Sequence, residues 1–178
     1  MSITLIIGGA RSGKSKYAEE LAAKNNLPVS YVATATAIDS EMEVRIVHHQ
    51  TRRPTNWLLH ECPLELATLL KTEVQKEQTI LVDCLTLWIN NQLHKNPQQN
   101  FSLLFSELIA TVQNVPAHII FVANEVGLGI IPLGEITRQF VDEAGRLNQQ
   151  LAQAANQVVF MVAGLPMVLK HVQTTVIN

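Results

Sequence analysis

The residues from Gly8 to Ser15 have the types and spacing of a loop that binds polyphosphate. They fit the pattern Gly-x4-Gly-Lys-Ser and follow an apolar run at residues 3–7, as such a loop must. Glycines let backbone amides turn towards phosphates, Lys14 adds positive charge, and Ser15 offers a hydroxyl to Mg²⁺. A helix beginning near Lys14 would aim its N-terminal dipole at the same anion. A plain glycine turn is the alternative, but the full match in this context favours a nucleoside triphosphate. The loop consists of Gly8, Gly9, Ala10, Arg11, Ser12, Gly13, Lys14 and Ser15.

Two acidic residues end predicted strands and are candidates for further chemistry. Asp83 closes the run at 79–82, the position at which enzymes with this loop hold magnesium through an acid. We therefore expect Ser15 and Asp83 to bind Mg²⁺, although Asp83 could instead cap the following turn. Glu61 follows the run at 57–60, and its carboxylate could accept hydrogen bonds from a guanine edge or a substrate hydroxyl. A position without chemistry fits Glu61 equally well.

The segment at 41–54 is unusual because it combines paired histidines with several arginines. If it is helical, Arg45, His49 and Arg53 lie along one face, four residues apart. Arginines bind phosphate oxygens in a forked geometry, and a neutral imidazole can donate a hydrogen bond or attack phosphorus. Taken alone, this spacing favours a solvated basic helix over a nucleophile.

The glycine-rich residues 124–132 follow another apolar strand. They could form a loop whose backbone approaches a ligand, or a plain connection. Further along, Arg138, Asp142 and Arg146 are spaced four residues apart on a predicted helix. Ordinary ion pairs along that helix are the simpler interpretation.

The order of apolar and amphipathic segments predicts how these residues are positioned. Short apolar runs alternate with stretches of helical spacing, which indicates a three-layer α/β fold with a mostly parallel sheet. Ligands in such sheets gather outside the carboxyl ends of the strands, which favours Thr34, Glu61, Asp83 and the Asn124-Glu125 pair. Strands are predicted at 3–7, 29–33, 57–60, 80–82, 119–123 and 158–162, with a short edge strand at 167–169. Helices are predicted at 14–24, 41–50, 64–76, 103–112 and 135–155, with a loop at 96–100.

Composition limits the classes of function. A chain of 178 residues with 47% hydrophobic and 16% charged residues suits one compact domain. A net charge of −2 gives no basic surface for nucleic acid, so we expect no nucleic-acid partner. No apolar run approaches the roughly 20 residues that span a bilayer, which predicts no membrane span and a cytoplasmic protein.

Cysteine and histidine spacing predicts no metal or redox site. Cys62 and Cys84 are too far apart for a CxxC motif, and both adjoin apolar strands, so buried free thiols are expected. The histidines outside the 41–54 segment lack partners at the spacing of zinc ligands, and we propose no zinc site. These histidines are His60, His94, His118 and His171.

Several motifs together resemble one family, the bifunctional adenosylcobinamide kinase and adenosylcobinamide-phosphate guanylyltransferase of cobalamin biosynthesis. The resemblance runs in order from residue 1 to about 169, and the paired histidines are its most specific part. The motifs are Gly-Gly-Ala-Arg-Ser-Gly-Lys-Ser at 8–15, Tyr-Val-Ala-Thr at 31–34, Arg-Ile-Val-His-His at 45–49, Arg-Pro at 53–54, Trp57, Glu-Cys at 61–62, Asn-Glu-Val-Gly at 124–127 and Gly-Arg-Leu-Asn-Gln at 145–149.

The resemblance implies a RecA-like P-loop NTPase fold and two reactions on one corrinoid. ATP or GTP phosphorylates adenosylcobinamide, and GMP is then transferred from GTP to that phosphate with loss of pyrophosphate. His49 would carry the guanylyl group, and Lys14 would act in the kinase step. The implied nucleotide site comprises residues 8–15 with Thr34, Ala35, Thr36, Gln50, Thr51, Arg52, Arg53, Glu61 and Asp83.

The resemblance also implies how the chain assembles and where its domain ends, and the chain departs from the family pattern at one position. It implies a homotrimer in which a neighbouring subunit completes the corrinoid cleft. One domain is expected at 1–170, followed by a polar tail at 171–178 that is open to disorder. Family members often have Phe-Arg-Asp where this chain has Phe-Val-Asp, so an anion contact from Val141 is in doubt.

The residues themselves leave two other classes of protein as alternatives. The first is a different small-molecule P-loop kinase in which His49 only binds phosphate. The second is a nucleotide-driven switch or motor, which would need a nucleic-acid surface or partner-binding loops that this acidic chain does not supply.

Overall fold

The computed structural model describes residues 1–36, 40, 54–74 and 76–172. These residues contain seven strands and five helices. The strands are β1 (Ser2–Gly8), β2 (Val29–Ala33), β3 (Leu58–Glu61), β4 (Thr79–Asp83), β5 (His118–Asn124), β6 (Gln157–Val162) and β7 (Leu165–His171). The helices are α1 (Lys14–Lys24), α2 (Leu66–Thr72), α3 (Leu85–Lys95), α4 (Phe101–Asn114) and α5 (Glu135–Ala154).

The strands form one mixed sheet in the order β3-β2-β4-β5-β1-β6-β7. Every neighbouring pair is parallel except β6 and β7, which form an antiparallel hairpin at one edge. The phosphate-loop strand β1 lies between β5 and β6, inside the sheet. The predicted α/β fold with a mostly parallel sheet is confirmed.

Hydrophobic residues alternate between the two faces of the central strands. Ile80 and Val82 of β4 belong to a core cluster with α2, α3, α4 and α5, whereas Leu81 belongs to a second cluster with α1. Strand side chains point alternately to opposite faces, so continuously apolar strands are buried on both sides. The described helices therefore cover both faces of the sheet, which confirms the three-layer prediction.

One helix was missed in the sequence. Helix α3 follows β4 directly, and its buried residues Leu85, Trp88, Ile89, Gln92 and Leu93 recur at the spacing of one helix face. This spacing could have identified α3 from the sequence, but the neighbouring apolar strands made it less distinct. No helix was predicted between Asp83 and the loop at 96–100, so α3 adds to the predicted elements.

Other boundaries differ modestly. Helix α2 ends at Thr72 rather than 76, and α4 extends beyond 103–112 at both ends. Helix α4 begins at Phe101 because the Asn100 side chain accepts a hydrogen bond from Leu103 N at 3.0 Å and caps the helix. The predicted helix at 41–50 lies outside the described residues, as do His49 and the residues 50–53.

The β6–β7 edge is apolar and exposed. Strand β7 exposes Leu165, Met167, Val168 and Leu169.

None of the helices in the described ranges has the length and hydrophobicity of a membrane span. Strand β7 extends to His171, and residues 173–178 of the predicted tail lie outside the described part.

Candidate functional site

The sheet register brings the predicted strand-end residues to one edge. Ala33 pairs with Glu61 on one side and with Asp83 on the other, so these three positions are adjacent. Gly8 pairs with Asn124 and with Met161. The start of the phosphate loop and the candidate acids therefore lie along the carboxyl edge of one continuous sheet, where ligands of such sheets bind.

The phosphate loop has the backbone conformation that its glycines permit. Gly13 has φ of 94° and immediately precedes α1, so a residue with a Cβ would be strained there. A helix leaves its first N–H groups without intrahelical partners, so the amides in the first turn of α1 are not bonded within the helix. Nothing in the sequence of α1 caps them, since Gly13 has no side chain. These amides are available to an anion.

Lys14 lies inside the loop. Its side chain is buried, and Nζ donates a hydrogen bond to the Gly9 carbonyl oxygen at 2.6 Å. Burial lowers the pKa of Lys14, while the nearby Cys84 and Asp83 oppose that shift. The ammonium is thus held by the loop backbone close to the Asp83 carboxylate. Phosphates bound in the loop would bring negative charge next to this partly desolvated ammonium.

Asp83 is oriented by a neighbouring strand. The Tyr31 hydroxyl donates a hydrogen bond to Asp83 Oδ2 at 3.1 Å. Asp83 is half-buried at the end of β4, and Ser15 is half-buried in the first turn of α1. A carboxylate and a hydroxyl are oxygen donors of the kind that Mg²⁺ takes when phosphates and water complete its shell. The donor types therefore fit the predicted cation, and the described residues contain no larger acidic, cysteine or histidine cluster for a metal.

A buried network fixes the residue after β2. Thr34 is fully buried, and its hydroxyl donates to the Cys84 carbonyl at 2.7 Å and accepts from Cys84 N at 2.9 Å. The amide of Asn91 donates to the Thr34 carbonyl at 2.8 Å and to the Pro63 carbonyl at 3.2 Å. Asn91 therefore links the segments that follow β2 and β3. The sequence reasoning missed Asn91 because it missed α3.

The Thr34 hydroxyl belongs to this network, although the residue was expected to contact the nucleotide. The donor and one acceptor position of its hydroxyl are used by Cys84, and the residue is fully buried, so the side chain joins the end of β2 to the start of α3 rather than presenting a free group to a ligand. Ala35 is half-buried and Thr36 is exposed just beyond. Glu61 is exposed at the end of β3, where its side chain is accessible.

The glycine-rich segment after β5 begins against the phosphate loop. Glu125 N donates to the Gly8 carbonyl at 2.9 Å, and Asn124 N donates to Thr86 Oγ1 at 2.6 Å. The Glu125 carboxylate turns back to accept from Gly127 N at 2.7 Å. Leu128, Ile130, Ile131 and Leu133 follow with at least three quarters of each side chain exposed. The segment is therefore anchored at the site and ends in an exposed apolar stretch.

Helix α5 does not form the ion pairs that its sequence suggested. Arg146 pairs with Glu143 rather than with Asp142, and Arg138 donates to the Pro132 and Leu133 carbonyls. Arg138 thereby ties the apolar stretch to the start of the helix. A cavity of about 320 Å³ lies along the helix, lined by Val141, Asp142, Gly145, Arg146 and Gln149.

The fold and the phosphate loop define the class of protein. A mostly parallel sheet with Gly8–Ser15 joining β1 to α1 is the architecture of a P-loop NTPase. Two solved structures share this fold. The flagellar accessory protein FlaH from Methanocaldococcus jannaschii has a TM-score of 0.55 at 16% identity, covering 96% of this chain and 79% of that chain. The RadB recombinase has a TM-score of 0.54 at 15% identity, covering 89% and 73%.

Residues 4–169 match the family described as cobinamide kinase / cobinamide phosphate guanyltransferase, and the chain belongs to this family. The bifunctional adenosylcobalamin biosynthesis protein CobP of Pseudomonas aeruginosa is 51% identical over 166 residues, which cover 93% of this chain and 96% of that protein. The protein CobU of Escherichia coli, described in the same words, is 38% identical, with 93% and 98% covered. The chain is therefore a nucleotide-binding enzyme of cobalamin biosynthesis, in a family with kinase and guanyltransferase activities.

Proposed function

We propose that this chain phosphorylates adenosylcobinamide with ATP or GTP and then transfers GMP from GTP to that phosphate through a guanylyl-histidine at His49. The observation that supports this best is the shared strand edge, where the phosphate loop, Lys14 and Asp83 lie together. Family membership supports the two reactions, and the chemistry of the individual residues supports their roles.

In the kinase step, the loop holds and orients the triphosphate. Its amides and the N-terminus of α1 bind the phosphates, and Lys14 exchanges the Gly9 carbonyl for phosphate oxygens. Ser15 and Asp83 would hold Mg²⁺, which supplies positive charge to the phosphates. Asp83 also accepts a hydrogen bond from Tyr31, so its position is fixed before substrate arrives. Phosphoryl transfer depends mainly on such positioning and charge.

In the guanylyl step, His49 acts as a nucleophile. A ring nitrogen attacks the α-phosphorus of GTP, the bond to the β-phosphate bridging oxygen breaks, and pyrophosphate leaves. An oxygen of adenosylcobinamide phosphate then attacks the same phosphorus, and the phosphorus–nitrogen bond breaks to restore the imidazole. Arg45 and Arg53 would neutralise the α-phosphate charge during both displacements.

The nucleotide site of this proposal includes the remaining loop positions. Gly8, Gly9, Ala10, Arg11, Ser12 and Gly13 would surround the phosphates. Among them, the buried Ser12 hydroxyl has no hydrogen-bond partner in the described chain, so a phosphate oxygen would satisfy it. Glu61, Ala35 and Thr36 would contact the guanine nucleoside, and Gln50, Thr51 and Arg52 would complete the site from the His49 segment.

The labelling experiment that tests the proposal uses GTP carrying a radioactive α-phosphate. Wild-type protein should form an adduct that is acid-labile and alkali-stable, as expected for a phosphoramidate. His49→Ala should abolish the adduct, whereas His94→Ala, which alters an exposed histidine at the end of α3, should retain it. An adduct that survives in His49→Ala would exclude His49 as the nucleophile.

A product assay distinguishes the main alternative, another small-molecule P-loop kinase in which His49 only binds phosphate. Protein incubated with cobinamide, GTP and Mg²⁺ should yield cobinamide phosphate and cobinamide-GDP, identified by mass spectrometry. Cobinamide phosphate alone, with no GDP product, would support the alternative.

We also propose that the enzyme is a homotrimer, as the family resemblance implies. The exposed apolar side chains of β7 and of Leu128, Ile130, Ile131 and Leu133 are surfaces of the kind that oligomers bury. Sedimentation velocity should give three times the chain mass of 19.7 kDa. A monomer at micromolar concentration would contradict this assembly.

A further inference from the structure

The turn between β6 and β7 touches the phosphate loop. Gly164 N donates a hydrogen bond to the Ser12 carbonyl oxygen at 3.0 Å. A methyl group placed on Gly13 would lie 3.3 Å from Gly164 Cα, so the two backbones are in close contact. Ala163 and Gly164 both have positive φ, at 50° and 82°, which shapes the turn towards the loop.

Strand β6 also limits the start of the loop. A methyl group placed on Gly8 would lie only 2.5 Å from the Met161 carbonyl oxygen, a distance at which the backbone would have to move. Gly8 and Met161 are in register on neighbouring parallel strands. The loop is therefore packed against β6 at Gly8 and against the following turn at Ser12 and Gly13.

We propose that the Ala163-Gly164 turn is a positioning element that orients the Ser12–Gly13 peptide for phosphate binding. The carbonyl and amide of a trans peptide point in opposite directions. Holding the Ser12 carbonyl against Gly164 N therefore directs the Gly13 N–H away from the turn. In loops of this kind, backbone amides bind the phosphates, so fixing the peptide plane prepares one donor in advance.

This role differs from that of the loop residues. Gly164 belongs to the hairpin at the far edge of the sheet, and no atom of it needs to touch nucleotide. The inference rests on nucleotide binding by residues 8–15 and is independent of corrinoid chemistry and of His49. Its failure is therefore distinguishable from failure of guanylyl transfer, which the labelling experiment measures.

The test compares two substitutions that impose the same kind of backbone strain. Gly164→Val puts a β-branched residue at φ 82°, where a methyl group would meet no described atom within 4 Å, so any defect comes from the backbone. Asn26→Val puts the same residue at φ 51° in the connection between α1 and β2. Gly164→Asn is the rescue variant, because asparagine tolerates positive φ.

Binding is measured by fluorescence titration with a mant-labelled GDP in the presence of Mg²⁺, and stability by thermal unfolding of the same samples. Both valine variants should unfold at lower temperature than wild type. Only Gly164→Val should weaken mant-GDP binding, by about tenfold, and Gly164→Asn should recover most of it. If Gly164→Val does not fold, Gly164→Ala applies a milder strain at the same φ.

Three results would overturn the inference. The first is wild-type affinity in a folded Gly164→Val or Gly164→Ala variant whose unfolding temperature has fallen. The second is an equal loss of affinity in Asn26→Val, since general destabilisation would then explain both. Wild-type protein that does not bind mant-GDP would remove the inference together with nucleotide binding itself.

Discussion

The Tyr31 hydroxyl and Asp83 Oδ2 are joined by a hydrogen bond of 3.1 Å between neighbouring strands β2 and β4. The carboxylate at the end of β4 is therefore oriented by a residue two positions before the end of β2. A hydrogen bond to a carboxylate oxygen is directional, so Tyr31 holds the Asp83 side chain at a defined position.

Asp83→Asn should remove most of the Mg²⁺-dependent kinase activity. The amide keeps the shape but loses the charge that would hold the cation, and such contacts are worth several kcal/mol, so we expect a loss of about a hundredfold or more in kcat/KM. Tyr31→Phe should have a smaller effect, about fivefold, because it removes the hydrogen bond to Asp83 and leaves the charge. Initial rates across a Mg²⁺ titration measure both.

The two variants should also differ in their Mg²⁺ requirement. Tyr31→Phe should need more Mg²⁺ for half-maximal rate and reach nearly the wild-type maximum, whereas excess Mg²⁺ should not rescue Asp83→Asn. Full activity of Asp83→Asn at ordinary Mg²⁺ concentrations would assign Asp83 to the structure of the turn instead.

Lys14 gives a prediction about pH. Burial lowers its pKa from the ordinary lysine value of 10.5, so the free enzyme loses this charge at a lower pH than an exposed lysine would. Affinity for triphosphate should therefore fall on the alkaline side, at a pH below 10.5. Lys14→Arg should move this fall to higher pH, because arginine keeps its charge, while Lys14→Met should bind weakly at every pH. Titrations with mant-GTP from pH 7 to pH 10 measure the difference, and an identical alkaline profile in Lys14→Arg would contradict it.

Much of the fold could be predicted because its signals are local. The predicted α1 matches the observed Lys14–Lys24, which glycine and asparagine flank, and the predicted second strand matches Val29–Ala33, which proline precedes. The parallel sheet followed from alternation of strands and helices. The resemblance, which depends on motifs scattered over most of the chain, predicted the family that the comparisons confirm.

The hydrogen bonds that hold the site in place could not be predicted from the same patterns. Asn91 is 57 residues from Thr34, whose carbonyl it holds, and Gly164 is distant in sequence from Ser12. Such contacts depend on which strands become neighbours, and spacing along the chain carries no signal of that. Thr34 shows the same limit, because its position at a strand end was predictable but the direction of its hydroxyl, towards Cys84, was not.

The two thiols should be unreactive in the folded protein. Burial and the nearby Asp83 raise the pKa of Cys84 to about 12, and burial also raises that of Cys62. Thiolate is the reactive form, so both should resist iodoacetamide at pH 8 until the protein unfolds. Mass spectrometry should find no label in native protein and label on both cysteines in urea. Cys84 is half-buried as a residue, so rapid native labelling there would contradict the raised pKa of its thiol.

The raised pKa of Cys84 also predicts a change of stability with pH. The unfolded thiol loses its proton near the ordinary cysteine pKa of 9.0, whereas the folded thiol has a pKa of about 12. Between these values the native state binds more protons, so the free energy of unfolding should decrease as pH rises. Cys84→Ala should show a shallower decrease over that range in urea titrations, and parallel curves for the two proteins would contradict the shift.

Asn91 should control the nucleotide site without touching nucleotide. Its amide holds the Thr34 and Pro63 carbonyls, so Asn91→Leu leaves two carbonyls without this donor and frees the segments after β2 and β3 to move apart. Each lost partner of a buried group costs about 1–3 kcal/mol, so stability should fall. Since Thr36 lies on the segment after β2 and Glu61 is the last residue of β3, next to the second segment, we also expect KM for GTP to rise by about tenfold, with kcat less affected.

A matched control lies on the next residue of the same helix. The Gln92 amide donates to the Leu64 carbonyl at 2.8 Å, and Trp88 donates to the same carbonyl at 2.7 Å, so Gln92→Leu removes a buried hydrogen bond while Leu64 keeps a donor. Gln92→Leu should lose stability and retain KM for GTP. Comparison with ATP then separates the effects, because loosening the segments proposed to contact guanine should reduce the preference for GTP only in Asn91→Leu. If the two variants changed KM equally, Asn91 would be a core residue with no special connection to the site.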